Sequence, residues 1–289
     1  MMRGFRAAFG LALLFFVPLA TRAFAAGTAT RIAVPIYQTR ISDGVIRYWV
    51  PIRVGGSAPI AAMLDTGSFG LRVLEPALSP SDYQETGIER RFRYGSGVAL
   101  RGSLVTAVVQ IGGATTGAPV YFQLVRSVGC TPRKPDCPAV RVGPADYRIG
   151  GNGLPGQGFE AILGLSLRRP PVAVAAFNPL DFVGDSKWII VLPLPGGTEP
   201  GTLIINPSAP DLTGFSAAQL APPPLDRPGR VQMIDPGCLA GEEAQADSCP
   251  SHWLDSGSGG GLRPYYSFAV LYDANRGMIG VKPRTDAVR

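Results

Sequence analysis

Two short segments of the sequence share one pattern: Met63-Leu64-Asp65-Thr66-Gly67-Ser68 and Trp253-Leu254-Asp255-Ser256-Gly257-Ser258. In each, an apolar strand delivers a carboxylate into a partly desolvated site, and the glycine permits a tight turn in which a backbone N–H approaches that carboxylate. If two such loops meet face to face, their carboxylates share one proton, because like charges at short distance do not ionise together. The pattern predicts acid–base chemistry by a pair of aspartates. The residues expected to support the two loops are Thr66, Gly67, Ser68, Ser256, Gly257 and Ser258.

The composition points to a β protein and restricts the chemistry. The 289 residues include 37 Gly and 28 Pro, which disfavour a helical bundle because both residues break helices and supply turns. Hydrophobic residues make up 46% and charged residues 17%, so most of the chain has the composition of a folded domain. The single histidine, His252, excludes mechanisms that need two, and we interpret it as an incidental loop residue.

Short β-branched and aromatic runs separated by Gly, Pro and Asn predict an all-β barrel or sandwich. A short helical stretch is expected near residues 80–85. Strands are expected over residues 48–54, 60–64, 105–111, 120–125, 188–192, 203–205, 268–272 and 279–281.

The first 25 residues have the layout of a secretory signal peptide: early arginines, an apolar run over residues 9–20 and the small-residue site Ala23-Phe24-Ala25. An uncleaved anchor is the alternative, because Arg22 interrupts the site. Cleavage after Ala25 would remove three arginines and lower the net charge from +6 to +3. We therefore expect an exported protein, periplasmic or secreted, with no membrane span after cleavage. The chain has no basic run with interleaved aromatics, so we expect no nucleic-acid partner.

The four cysteines fall into two close pairs, Cys130 with Cys137 and Cys238 with Cys249. In an exported chain an even number of cysteines predicts local disulfides. Metal ligation is the alternative, although neither spacing is C-x-x-C and no histidine cluster lies nearby. The glycine-rich run 150–153 lacks a following Lys-Thr, so no phosphate site is predicted. We expect neither a metal nor a cofactor.

The motifs that follow Asp65 extend the pattern. Arg93-Tyr94-Gly95-Ser96-Gly97 comes first, and Phe159-Glu160-Ala161-Ile162-Leu163-Gly164-Leu165 comes later. This ordered set resembles the N-terminal half of the pepsin-like aspartic peptidases, in which a D-T-G-S loop precedes a flap hairpin bearing Y-G-[ST]-G. The resemblance implies that Asp65 is catalytic and that Tyr94, Gly95 and Ser96 lie on a flap over the substrate. It also implies that residues 162–164 form a strand behind the catalytic loop.

The second half resembles the same family more faintly. Residues 201–205 look like the strand after the crossing between lobes, a cysteine pair precedes the second D-S-G-S, and residues 263–268 look like the start of the closing strands. The resemblance implies an all-β, bilobal fold, with a lobe over residues 26–175 that carries the first loop and flap. Residues 176–289 would form a reduced second lobe with Asp255, because only 34 residues follow that aspartate.

Two departures from the family pattern and one alternative aspartate bear on the site. The second apolar-apolar-Gly strand is missing, since Gly259-Gly260-Gly261 joins the Asp255 loop directly to the closing strands. The aromatic residue that usually follows the first motif and steadies the flap tyrosine is absent, and Arg72 lies in that region. Asp235 is a second candidate for the partner carboxylate, although Pro236 replaces the hydroxyl residue there.

The resemblance implies an aspartic endopeptidase that acts as a monomer on peptide or protein substrates through Asp65, Asp255 and an activated water. The shortened second lobe leaves an alternative, a pepsin-fold binding or envelope protein without useful proteolysis. A third hypothesis is the pairing of N-terminal lobes from two chains, as in the single-lobe viral relatives.

Overall fold

The computed structural model describes residues 29–143, 145–167, 175–218, 220–221, 232–234, 252–257 and 261–286. Within them it confirms the all-β prediction, with strands as the dominant element and only two short helices. The strands of the first part of the chain are β1 Ile32–Arg40, β2 Ile46–Val54, β3 Ile60–Asp65, β4 Phe69–Leu74, β5 Gln84–Arg93, β6 Val98–Ala107, β7 Val109–Ile111, β8 Ala114–Thr115, β9 Val120–Cys130 and β10 Ala161–Leu165.

The remaining elements belong to the C-terminal part of the chain. They are β11 Lys187–Val191, β12 Gly201–Ile205, α1 Ala209–Leu212, β13 Ser216–Ala218, β14 Leu220–Ala221, β15 Gln232–Ile234, β16 His252–Leu254, α2 Arg263–Ser267, β17 Phe268–Asp273 and β18 Met278–Pro283. In the part of the chain that the structure describes, no helix is long and apolar enough to cross a bilayer.

Fifteen strands form one large mixed sheet. Its main path runs β13-β18-β17-β11-β12-β1-β2-β3-β10-β4-β9-β6-β5, with β7 and β8 attached through β2. Strand β1 occupies the junction, because it pairs with β12 from the second half of the chain and with β2 from the first. A separate three-stranded sheet contains β14, β15 and β16.

Strand β3 is buried on both faces, and the alternation of its side chains determines which face Asp65 occupies. Leu64 belongs to the main hydrophobic core, whereas Met63 belongs to a second, smaller core cluster. Successive side chains of a strand point to opposite faces. Asp65 therefore lies on the same face as Met63, toward the cluster that also contains Val98 and Leu100 of β6.

The smaller cluster lies beneath the flap hairpin, which we define as β5, β6 and the turn between them. Residues Tyr94–Gly97 form the tip, where the Tyr94 amide donates to the Val98 carbonyl at 2.8 Å. Strand β6 also pairs along its length with β9, so the hairpin is anchored to the large sheet on one side. Strand β5 is the last strand on the main path.

Most of the expected strands are present with small shifts at their ends, but three expectations were wrong in detail. The strand expected over residues 105–111 is two strands, β6 and β7. Residues 80–85 contain only a single 3-10 turn, Pro80–Asp82, before β5 begins. Residues 263–267 form the short helix α2 rather than a closing strand; Pro264 favours a helix start because it lacks the N–H that the first turn leaves unpaired.

Candidate active site

The Asp65 loop follows β3 and is supported from behind by β10. Strand β10 lies between β3 and β4: Gly164 is paired with Asp65 in the parallel ladder and with Gly70 in the antiparallel one. A Cβ atom on Gly164 would lie 2.8 Å from the Gly70 backbone nitrogen and oxygen, so only glycine fits. This is the position expected for the strand of residues 162–164.

The Asp255 loop faces the Asp65 loop, and the two are joined by reciprocal hydrogen bonds. The Thr66 amide donates to Ser256 Oγ at 3.1 Å, and the Ser256 amide donates to Thr66 Oγ1 at 3.0 Å. Ser256 Oγ also donates to the Leu64 carbonyl at 2.9 Å. Both hydroxyl residues are fully buried. The bonds fix the relative position of the two loops.

Each aspartate is held in the same way by its own loop. The Gly67 amide donates to Asp65 Oδ1 at 2.9 Å, and the Gly257 amide donates to Asp255 Oδ1 at 2.9 Å. These hydrogen bonds orient both carboxyl groups toward the space between the loops. Asp65 is 6% exposed and Asp255 is partly exposed.

The two carboxyl groups lie close together, each against the glycine of the other loop. A Cβ on Gly67 would lie 2.5 Å from Asp255 Cγ, and a Cβ on Gly257 would lie 2.6 Å from Asp65 Oδ1. That second position is also 3.2 Å from Asp255 Oδ1, so both Oδ1 atoms lie within 3.2 Å of one point. Neither loop has room for a side chain in place of its glycine.

The electrostatics of the site favour a proton on Asp65. Burial, followed by the negative charge of Asp255, raises the pKa of Asp65 to about 6. The Ser68 hydroxyl, the Gly67 amide and the positive charge of Arg72 act in the opposite direction. A carboxyl group with a pKa in this range holds its proton under mildly acidic conditions, where an ordinary aspartate is ionised.

Tyr94 lies near the carboxyl pair from the flap side. Its hydroxyl is buried, and its ring meets the Phe92 ring edge-on at 4.8 Å between centroids. Burial raises the pKa of Tyr94, the charge of Arg72 opposes this rise, and the charge of Asp65 adds to it. The tyrosine therefore remains neutral, and it interacts electrostatically with both Arg72 and Asp65. Its neighbours at the tip, Gly95 and Ser96, are exposed.

The disulfide loop Cys130–Cys137 contacts the flap tip. The two cysteines are bonded, which confirms the first predicted pair. The Thr131 amide donates to the Gly97 carbonyl at 2.8 Å, and Lys134 Nζ donates to the Gly95 carbonyl at 2.7 Å. The disulfide loop thus holds the tip of the flap hairpin through these two contacts.

Sequence reasoning missed two contacts that support the site, one on each loop. The Tyr265 hydroxyl, from α2, donates to Thr66 Oγ1 at 2.7 Å and lies 2.6 Å from the Tyr272 hydroxyl; both rings are fully buried. Gly261 packs directly on Asp255, since a Cβ there would lie 2.6 Å from the Asp255 backbone nitrogen. Tyr265 thus supports the Asp65 loop through Thr66, and Gly261 supports the Asp255 loop. The consecutive tyrosines 265 and 266 were the available signal.

Some of the residues singled out in the sequence lie in parts of the chain that the structure does not describe. The signal peptide over residues 1–25, Asp235, Ser258, and the pair Cys238 and Cys249 lie outside the described residues. The backbone of His252 belongs to β16. Among the residues that are described, no three His, Cys, Asp or Glu side chains are grouped as a metal site requires.

No protein-family model matches the chain, and no curated protein matches it significantly.

Proposed function

We propose that the protein is an aspartic endopeptidase with a pepsin-like, two-lobe arrangement. One observation carries the proposal: the Asp65 and Asp255 loops bind each other reciprocally through Thr66 and Ser256, with both carboxyl groups against a common point. Two carboxyl groups so arranged share one proton and can activate a water molecule without a covalent intermediate.

In the proposed reaction, the ionised carboxylate of the pair takes a proton from water, and the water oxygen attacks the peptide carbonyl carbon. The protonated carboxyl group donates its proton to the carbonyl oxygen as the tetrahedral intermediate forms. The first carboxyl group then donates the proton taken from water to the leaving nitrogen, and the second carboxylate takes a proton from a hydroxyl group of the intermediate as the C–N bond breaks, so the pair again holds a single proton. The raised pKa of Asp65 supports assigning it the proton in the resting pair.

The flap hairpin supplies the other side of the proposed substrate site. An extended peptide would lie between the tip residues Tyr94–Gly97 and the carboxyl pair. Both loops come from one chain, which favours a monomeric enzyme over pairing of lobes between two chains. The disulfide Cys130–Cys137 is compatible with an exported protein in an oxidising compartment, which we also propose.

The decisive experiment is cleavage of a denatured protein between pH 3 and 7 by the wild type and by Asp65→Asn. We expect cleavage by the wild type on the acidic side of this range, inhibition by a statine peptide that mimics the hydrated amide, and a loss of about 100-fold or more in the variant. Undiminished cleavage by Asp65→Asn, or resistance to the statine peptide, would contradict the proposal. A wild type that binds the statine peptide and cleaves nothing would favour the binding-protein alternative.

A further inference from the structure

Arg72 is a buried cation beside the proposed catalytic loop. It is 3% exposed, on β4. Its Nη2 donates to the Phe69 carbonyl at 2.9 Å and its Nη1 to the Gly70 carbonyl at 3.1 Å. Within the described residues, no carboxylate oxygen lies within 4 Å of the guanidinium. A buried charge without a paired counter-ion is costly, so its presence here calls for a functional explanation.

The guanidinium connects the two parts of the site. Its central carbon lies 3.5 Å from the centroid of the Phe92 ring, on β5 of the flap hairpin. A cation over an aromatic face is attracted by the electrons of the ring. Phe92 in turn packs against Tyr94, and the carbonyl acceptors of Arg72 belong to the strand that leaves the Asp65 loop. Arg72 thus bridges the catalytic loop and the flap.

We propose that Arg72 is a positioning residue that ties the flap hairpin to the Asp65 loop and sets the pH range in which the carboxyl pair holds a single proton. The inference rests on the proposed peptidase function and deepens it. Arg72 acts through Asp65 and Tyr94, and it does not touch the reacting atoms.

The charges around the pair indicate the direction of the effect. Asp255 opposes ionisation of Asp65, and Arg72 favours it, as a nearby positive charge does for any carboxylate. Arg47, which lies on β2 rather than β4, also interacts electrostatically with Asp65 and Asp255. Tyr94 faces Arg72 and Asp65, and Tyr147 adds a weaker interaction with Tyr94. Removing the charge of Arg72 should therefore move both proton dissociations of the pair to higher pH.

The test compares Arg72→Met, which removes the charge, with Arg72→Lys, which keeps it. In Arg72→Met we expect both limbs of the pH profile of kcat/KM to move to higher pH. In Arg72→Lys the limbs should stay near their wild-type positions. Both variants should lose about 10- to 100-fold in kcat/KM, because the guanidinium plane that stacks on Phe92 of the flap hairpin is lost.

Arg101→Met is the matched control, because Arg101 is an exposed arginine on the same hairpin. It should leave the limbs and kcat/KM unchanged. Limbs of Arg72→Met that remain at their wild-type positions would overturn the proposal, since a purely structural role lowers the rate without moving them. If Arg72→Met does not fold, Arg72→Gln carries the same expectation.

A second measurement does not depend on cleavage. The carboxyl carbon of Asp65, labelled with carbon-13 and assigned by its loss in Asp65→Asn, should titrate at higher pH in Arg72→Met than in the wild type. An unchanged titration would contradict the inference about Arg72. A wild type that fails to cleave any peptide while this shift is present would contradict only the peptidase function.

Discussion

Thr66 and Ser256 exchange hydrogen bonds across the centre of the site, each donating its amide to the other's hydroxyl oxygen at 3.1 and 3.0 Å. They lie 190 positions apart in the sequence. The exchange links the two loops without using either carboxyl group.

Ser256→Ala should weaken both folding and catalysis. The Thr66 amide would lose its acceptor and the Leu64 carbonyl would lose its donor, both in a buried setting, at a cost of about 1–3 kcal/mol in unfolding free energy. Chemical denaturation measures the loss, and kcat/KM should fall with it. Ser127→Ala, at an exposed position, is the control and should match the wild type. Wild-type stability in Ser256→Ala would show that the exchange contributes nothing.

Gly67→Ala should lower activity about 100-fold while the outer parts of the sheet remain folded. The new methyl group would lie 2.5 Å from Asp255 Cγ, so the carboxyl group or the loop must move. A displacement of about 1 Å at a reacting group lowers rates about 100-fold. Gly129→Ala is the matched control, because nothing lies within 4 Å of a Cβ there. Full activity in Gly67→Ala would mean that the two loops do not approach each other as described.

Asp65→Asn should change how stability depends on pH. Because folding raises the pKa of Asp65 to about 6, the wild type has the full stabilising contribution of the protonated carboxyl group below about pH 4 and loses it as the pH rises through 6. The asparagine does not ionise. At pH 7 the variant should therefore be more stable than the wild type by roughly 2–3 kcal/mol, and at pH 3 the two should agree.

Urea unfolding at a series of pH values measures this difference. Asp146→Asn, at an exposed aspartate, should follow the wild type throughout. A constant difference between Asp65→Asn and the wild type from pH 3 to 7 would show that the carboxyl group is not buried beside a like charge.

Replacing Cys130 and Cys137 together by serine should loosen the flap tip. Losing a closed loop of this size costs about 2 kcal/mol of unfolding free energy in the chain-entropy account. The backbone contact from Thr131 to Gly97 would weaken as well, so KM should rise more than kcat falls.

Lys134→Ala separates the two effects, because it removes the contact with the Gly95 carbonyl and keeps the disulfide. It should raise KM with little change in stability. An unchanged denaturation midpoint and KM in the double serine variant would rule out a role for this disulfide loop.

The parts of the fold that follow local rules could be predicted from the sequence. The alternation that buries Leu64 and turns Asp65 toward the flap is a property of one strand, and the D-[ST]-G-S loops carry their own hydrogen-bonding groups. Short apolar runs likewise predicted most strands. The helix at residues 263–267 was not predicted, because its aromatic residues favour a strand. Pro264, which favours the start of a helix, was given less weight.

The remaining parts of the site depend on contacts between distant segments. The bond from Tyr265 to Thr66 joins residues 199 positions apart, and no periodicity indicates it. Arg72 appeared in the sequence only as a departure from an expected aromatic residue. Its stacking on Phe92 depends on how β4 and the flap hairpin pack, which the sequence pattern does not specify.

The place of β1 in the sheet has a consequence for how the molecule acquires its structure. Ile32 is paired with Ile205, so the first strand obtains one of its two neighbours only after most of the chain has been synthesised. Pairings between such distant segments must overcome the entropy of closing a long loop, which slows folding. The N-terminal half alone would expose an open strand edge at β1, so the arrival of β12 is also what protects this edge from aggregation.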